Sequence, residues 1–475
     1  MNLVVWFQKR CGEYAKSVAL IQEEERLTYQ ELAELVFGFA GHLQTQGIKK
    51  GDKVILMLPN CLEFVVSYFA IIACGATAVK VSTVSTPREL RHIAEDSGAK
   101  LIIARPDQEK KVSDLREIFP PCPTCLSLSS VGTIPQNHKK FVPPDIGRED
   151  TAVMIYTAGL SGKALGAQLT HGNLLSQTPL LAECFNAQPT DRAIAVIPFF
   201  HAFGIVANLL SILNVGGSVV IMETFTLVGI FATITREKVT YIAGVPRLFW
   251  GMLFQERIEE FDISSLRFGI TGGCAAPKDL LIAFEQRFGF RLWEGYGLTE
   301  ASPVSISSKI HGAYKPGSFG TPIAAVEAKI VGDGGTVLTV GQIGELLIKG
   351  PNVMRGYHNA PEATAEVLSA DGWLRTGDLV RIDEEGYYFF EGLKKRMVIT
   401  SGFNVYPQEV EDVLSSFPGV KEAVVFGKSD PLRGEIVCAK LTVADGSTVD
   451  ERELLRFARK QLSPYKVPRE FEFFS

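Results

Sequence analysis

Short apolar runs followed by longer amphipathic or buried stretches repeat along residues 53–298, a pattern of alternating strands and helices. Ahead of them, Thr28-Tyr-Gln-Glu31 predicts a capping box, the side chains of Thr28 and Glu31 satisfying each other's backbone N–H groups. An amphipathic helix is expected from there to Gln46, stopped by Gly47. Residues 53–58 predict a strand, 61–74 a buried helix and 77–81 a second strand. Such a β-α-β unit implies a parallel sheet covered by helices. A helix over 88–96 and a strand over 100–104 repeat the unit. Residues 105–150 are polar and contain prolines, and predict a long connection.

The apolar run 152–156 predicts a further buried strand. A helix over 173–185 and a strand over 192–197 follow, the strand ending at Pro198-Phe-Phe-His-Ala-Phe-Gly204. Another helix, then strands over 218–222, 239–244 and 266–271, continue the alternation. Strand ends that run into glycine are where parallel-sheet proteins place ligands. Over 317–391 the texture changes: 326–331, 344–349 and 387–390 read as strands, with turns at Gly332-Asp-Gly-Gly335 and Asp383-Glu-Glu-Gly386. Beyond 394 come a helix over 407–416, strands over 423–426 and 437–442, and a helix over 450–461. The expected fold is α/β. A large N-terminal part (1–393) holds two parallel-type βαβ subdomains and a β-rich subdomain, and a small α+β domain (394–475) follows.

Composition sharpens this only where it excludes. At 475 residues, 46% of them hydrophobic and 30 of them Phe, the chain can bury large cores in two or three domains and is not disordered. A formal net charge of −5 without an acidic or basic block argues against a nucleic-acid surface. Cys122-Pro-Thr-Cys125 is a lone C-x-x-C in a Pro-rich loop; a structural zinc site would need a second pair. The scattered cysteines suit a reducing cytoplasm. Residues 1–7 are apolar but lack the basic region and cleavage site of a signal peptide. Residues 64–79 are too few for a membrane span, and 193–222 are interrupted by Pro198, His201, Asn208, Asn214 and Gly216-Gly217. No span is expected, and peripheral membrane contact is left open.

Four segments carry candidate chemistry. In Tyr156-Thr-Ala-Gly-Leu-Ser-Gly-Lys-Ala-Leu-Gly166, the glycines Gly159, Gly162 and Gly166 bracket Lys163. Glycines bring successive N–H groups close to an anion, and lysine adds a mobile charge suited to phosphate. A Gly-rich hairpin between two strands is the alternative. The spacing is not that of the mononucleotide-binding ATPases, since only Leu160 and Ser161 separate Gly159 from Gly162. In Trp293-Glu-Gly-Tyr-Gly-Leu-Thr-Glu300, an aromatic can stack on a purine, Thr299 can donate to phosphate and Glu300 can ligate Mg²⁺. The alternative is a turn with an exposed Glu. In Trp373-Leu-Arg-Thr-Gly-Asp378, the carboxylate can accept both ribose hydroxyls or cap its own turn. In Thr400-Ser-Gly-Phe-Asn-Val-Tyr-Pro407, Gly402 lets a thin ligand pass close to backbone, or the loop merely starts a helix at Pro407.

In this order and spacing the segments closely resemble the acyl-CoA synthetase branch of the adenylate-forming superfamily, over nearly the whole chain to Val467-Pro-Arg. Gly272-Gly-Cys-Ala-Ala-Pro277, Lys315-Pro-Gly-Ser-Phe-Gly320 and Met354-Arg-Gly-Tyr357 add to it. The resemblance implies an acid–thiol ligase that joins a carboxylate, fatty or aryl, to ATP as acyl-AMP and then passes the acyl group to CoA, with Mg²⁺. It implies that Thr157, Ser161 and the catalytic Lys163, with Gly159, Gly162 and Gly166, hold the β- and γ-phosphates. Glu300 would hold Mg²⁺. Gly273, Cys274 and Ala275 would border the adenine with Tyr296, beside Glu294, Gly295, Gly297 and Thr299. Asp378 would hold the ribose, Gly402 would line the pantetheine tunnel, and His201 would stand at the mouth of the acyl pocket. A satisfied core histidine is the other reading of His201.

The chain also departs from the family. Ala158, Leu160, Ala164 and Leu165 stand where Ser, Thr, Pro and Lys are usual; Gly392-Leu393 replaces Gly-Arg; Arg396 replaces an acidic hinge residue. The sequence given stops at Ser475, short of the family's Gly-Lys motif, which Lys460 and Lys466 do not match. The resemblance implies a C-terminal domain that turns about the hinge, presenting that lysine for the first step and the Gly402 face for the second. The chain as given is therefore expected to adenylate weakly and still convert supplied acyl-AMP to acyl-CoA. The other readings are a nucleotide- or acyl-adenylate-binding module and a ligase serving a carrier protein. A monomer or homodimer is expected.

Overall fold

A computed structural model describes residues 1–137, 141–158, 164–394, 397–444 and 447–474. Its order of strands and helices is α/β, as expected, and three sheets organise it. The first has seven strands. Thr77–Lys80, Lys53–Met57, Leu101–Ala104 and Thr124–Ser127 run parallel. Thr151–Ala158 pairs parallel with Thr77–Lys80 and turns back antiparallel as Ala164–Thr170. The Gly-rich segment thus joins two strands of a hairpin. Gly166 lies inside the second strand, where an added Cβ would meet Met154 Sδ at 2.8 Å and the Tyr156 ring. Glycine is required there by cross-strand packing.

The second sheet has thirteen strands along one hydrogen-bonded path. Val18–Gln22, Ser218–Ile221, Arg192–Ala195, Tyr241–Gly244, Phe268–Thr271 and Leu292–Gly297 form its parallel half. Val304–Ser307 and Ser318–Pro322 then pair antiparallel and lead into the β-rich region, ending at Glu327–Val331. The helix Leu62–Ala73 is buried on every side, Glu63 and Ser67 included. Such a helix belongs between packed layers, and Phe64 on it lies 5.5 Å, ring to ring, from Phe199 at the end of a strand in the second sheet.

The third sheet belongs to the C-terminal unit, with its own core around Val398, Val410, Leu414, Val425, Leu441 and Leu454. Its two long strands, Val420–Asp430 and Gly434–Val443, exceed the short segments expected from the sequence. Long antiparallel pairing satisfies backbone groups even at the polar ends that a hydrophobicity pattern omits.

Two local expectations are corrected. Residues 105–150 are more than a connection: they contain the helix Glu109–Ile118 and the edge strand Thr124–Ser127. Val112 and Leu115 are the buried face of an otherwise polar helix, a stripe too narrow to stand out. The expected single helix over 173–185 is two, His171–Gln177 and Leu180–Phe185, because Pro179 has no N–H to continue the ladder. The capping box of Thr28 and Glu31 forms as expected and opens Tyr29–Thr45. After His201 the chain enters a seven-residue π-helix, Gly204–Leu210, a form often found at functional sites.

Candidate active site

The expected site residues gather where strand ends of the first two sheets face each other and the C-terminal unit. Thr157, near the end of Thr151–Ala158, donates its hydroxyl to Glu300 Oε1 at 2.8 Å. Tyr357 donates to the same oxygen at 2.9 Å. The sequence reading passed over Tyr357, although it closes the motif Met354-Arg-Gly-Tyr357. Glu300 is 9% exposed, and Oε2 has no partner among the described residues. Among those residues no cluster of three or more His, Cys, Asp or Glu exists. One buried, oriented carboxylate with an uncommitted oxygen fits Mg²⁺, which takes few protein ligands and completes its shell with water and phosphate.

Tyr296, on Leu292–Gly297, donates its hydroxyl to Asp378 Oδ2 in a short hydrogen bond and stacks on Phe319 at 4.8 Å. The sequence places these two residues 82 positions apart; the sheet brings them together. Gly297 is dictated by a close backbone approach, since an added Cβ would lie 1.8 Å from the Pro303 carbonyl. Gly295 faces looser surroundings, Ser307 Oγ at 3.9 Å. Thr299 opens the short turn that presents Glu300. Glu294 is placed differently from its neighbours. Its carboxyl is buried and accepts the Gly317 N–H at 2.8 Å, and burial pushes its pKa up to about 8. It braces the strand against the Gly317 turn.

Gly273, Cys274 and Ala275 follow Phe268–Thr271 and are partly or fully open to solvent. Gly273 has a φ of +83°, and a Cβ there would meet the Gly402 Cα at 4.0 Å. Gly402 has the same φ of +83°, and a Cβ there would lie 2.6 Å from Val245 Cγ1. Two glycines from opposite bodies thus meet beside Val245, at a cavity of about 210 Å³ that Cys274, Ala275, Arg247, Ser401 and Arg433 also line. Arg247 donates to Ser401 at 2.9 Å. Burial and the charges of Arg433 and Arg469 lower its pKa, so three guanidinium groups bear on one region. No sequence signal marked them, because they come from three separate segments.

His201 is half-buried, and its Nδ1 accepts the Phe203 N–H at 3.2 Å. Burial, helped by Lys80, lowers its pKa to about 4, so the ring is neutral near pH 7. From the C-terminal unit, Tyr406 lies close enough to Glu300 and Asp378 that, after burial, both raise its pKa. Gly159, Ser161, Gly162 and Lys163, with the hinge residue Arg396, lie outside the described residues.

One buried carboxylate with an uncommitted oxygen, near Tyr296 and Asp378 and with Gly402 and Arg433 of the C-terminal unit close by, is the arrangement expected of an AMP-forming acid–thiol ligase. The comparisons agree. Residues 7–358 match the AMP-binding enzyme family and residues 409–475 match the AMP-binding enzyme C-terminal domain, and the chain belongs to this family. It is 32% identical to a long-chain-fatty-acid–CoA ligase of Bacillus subtilis, over 94% of this chain and 87% of that protein. It is 34% identical to a feruloyl-CoA synthase of Amycolatopsis sp, over 98% of this chain and 94% of that protein. Among solved structures, an o-succinylbenzoate CoA synthetase double mutant from Bacillus subtilis, bound with its product analogue, superposes with a TM-score of 0.89 at 30% identity, covering 99% of this chain and 94% of that one.

Proposed function

We propose that this site activates a carboxylic acid with an apolar body, fatty or aryl, as acyl-AMP and then forms its CoA thioester. A carboxylate needs no general base to attack the α-phosphorus, so the protein's task is positioning and charge stabilisation. Glu300 would hold Mg²⁺, and a bound Mg²⁺ would supply neutralisation of the negative charge that develops on the phosphates. Thr157 and Tyr357 hold Glu300 in one orientation for this. Tyr296 and Asp378 would hold the adenosine, with Gly273, Cys274 and Ala275 along the adenine edge. Lys163 and the Gly-rich loop would take the outer phosphates, and neutral His201 would border the acyl group.

The observation that carries the second step is the meeting of Gly402 with Gly273 and Val245. Side chains on those glycines would fill the narrow place where a thioester arm must pass. Arg247, Arg433 and Arg469 suit the phosphates of CoA at its outer end. The division at 393 and 394 is where the C-terminal unit would turn. A cytoplasmic monomer or homodimer belongs to the same reading, and among the described residues no helix is long and apolar enough to cross a membrane.

Carboxylate-dependent ATP–pyrophosphate exchange with a panel of fatty and aryl acids tests the first step. CoA-thioester formation from supplied acyl-AMP tests the second. Exchange without thioester would favour delivery to a carrier protein, and neither activity with any acid would favour a binding module.

A further inference from the structure

Lys80 ends the strand Thr77–Lys80 at 3% exposure. Its ammonium donates to the Phe199 carbonyl at 3.1 Å and has no other partner among the described residues. No carboxylate lies within ion-pair distance of it there, in contrast to Lys466, which has two. Burial drives its pKa well below the ordinary lysine value. The charged form is costly in such a place unless an anion stands beside it, and replacing the amine with an apolar group of the same length would relieve the cost of burying it. A buried lysine without a counter-charge is a candidate for a functional role.

What Lys80 faces gives the reason. Phe199 belongs to the turn 198–204 that carries His201, and the Lys80 charge reaches the His201 ring. From the other side of this turn the Phe203 ring comes within 3.4 Å of where a Cβ on Gly272 would stand. Gly272 adjoins Gly273, where the two bodies meet. The turn therefore runs from Lys80 to the line along which the acyl group is passed. Further along the same segment Asn208 is 0% exposed, and among the described residues neither its amide nitrogen nor its amide oxygen has a partner.

We propose that Lys80 is a specificity residue that pairs with a second anionic oxygen on the acid, so that the favoured substrates are acids whose apolar body carries another carboxylate or ionised phenol. This rests on the acyl-CoA synthetase reading and names the substrate class for that site. The reacting carboxylate stays at the phosphate end, and the second anion is the neighbour that favours the protonated form of Lys80.

The test compares two acids of equal length, one ending in a carboxylate and one in a methyl group, with wild-type protein and Lys80→Met. Wild type should favour the diacid in kcat/KM for thioester formation. Lys80→Met should lose about 10- to 100-fold on the diacid, the range for a hydrogen bond to a charged group. It should hold or gain on the monoacid, and Lys80→Arg should recover part of the preference. Equal losses on both acids, or an unchanged preference, would overturn the proposal. Calorimetric binding of the diacid without ATP keeps the two readings apart. Tighter diacid binding to wild type than to Lys80→Met sustains the Lys80 assignment even if no thioester forms, and equal binding rejects it.

Discussion

Lys466 of the C-terminal unit places its ammonium 2.7 Å from Glu89, the capping residue of the helix Pro87–Ser97 in the N-terminal body. The same ammonium is 2.7 Å from Glu409, and the Ser463 hydroxyl donates to Glu89 Oε2 at 2.6 Å. With Phe403 stacked 4.5 Å from Tyr465 and 6.5 Å from Phe200, this forms a half-buried latch between the C-terminal unit and the N-terminal body, next to Gly402.

Breaking the latch leaves two carboxylates facing each other. We expect Lys466→Met to slow acyl transfer from supplied acyl-AMP to CoA about tenfold or more, because two half-buried carboxylates without their shared cation now disfavour this arrangement. Pyrophosphate release should be little affected. Measuring both half-reactions separately decides it; equal slowing would mean that the latch does not select between domain positions.

Glu300→Gln keeps the shape and the hydrogen bonds to Thr157 and Tyr357 but removes the charge. Pyrophosphate release at saturating acid should fall about 100-fold, and more Mg²⁺ should be needed for half-maximal rate. The far-ultraviolet circular dichroism and melting temperature should stay near wild type. A rate unchanged across a Mg²⁺ titration would remove Glu300 from the metal assignment.

A methyl group on Gly402 would lie 2.6 Å from Val245 Cγ1, on a backbone with φ +83°. That conformation alone costs a residue with a Cβ about 1–2 kcal/mol. Gly402→Ala should therefore impair thioester formation and spare adenylation. Adding Val245→Ala should restore part of the loss, since the overlap is removed and the backbone strain is not. Absence of any rescue would place the defect elsewhere.

Glu294 titrates about 8 in the folded chain against an ordinary 4.5, chiefly because it is buried, with the Gly317 and Ala276 N–H groups and Lys278 opposing. Between those values the folded chain holds a proton that the unfolded chain has lost. Its contribution to stability is thus present at low pH and declines as pH rises through the window. Glu294→Gln should remove this slope. Melting temperatures of the two proteins should draw together near pH 5 and separate toward pH 8, with the variant the more stable there.

Much of the molecule can be read from neighbours in the chain. The capping box at Thr28 and Glu31, the buried strand and helix periods from residue 53 onward, and the glycine-bearing motifs around Tyr296 and Gly402 are local signals. The capping box rests on hydrogen bonds within a few residues, and the periods and glycine spacings are patterns of the linear order itself, so the sequence already contains them. The same locality explains what was misread: the narrow apolar stripe of Glu109–Ile118 and the break at Pro179 were weak beside the polar and helical textures around them.

The site's working contacts belong to another scale. Thr157 reaches Glu300 across 143 positions, Lys80 reaches Phe199 across 119, and Lys466 reaches Glu89 across 377. Whether a charge is paired or stranded depends on which strands become neighbours and on how much water they exclude, and no run of residues carries that information. The chain alone therefore announced an ATP-dependent acid activation. Only the packing of its three sheets decided that Glu294 braces a turn, that Tyr357 orients Glu300, and that Lys80 lies buried without a counter-ion among the described residues.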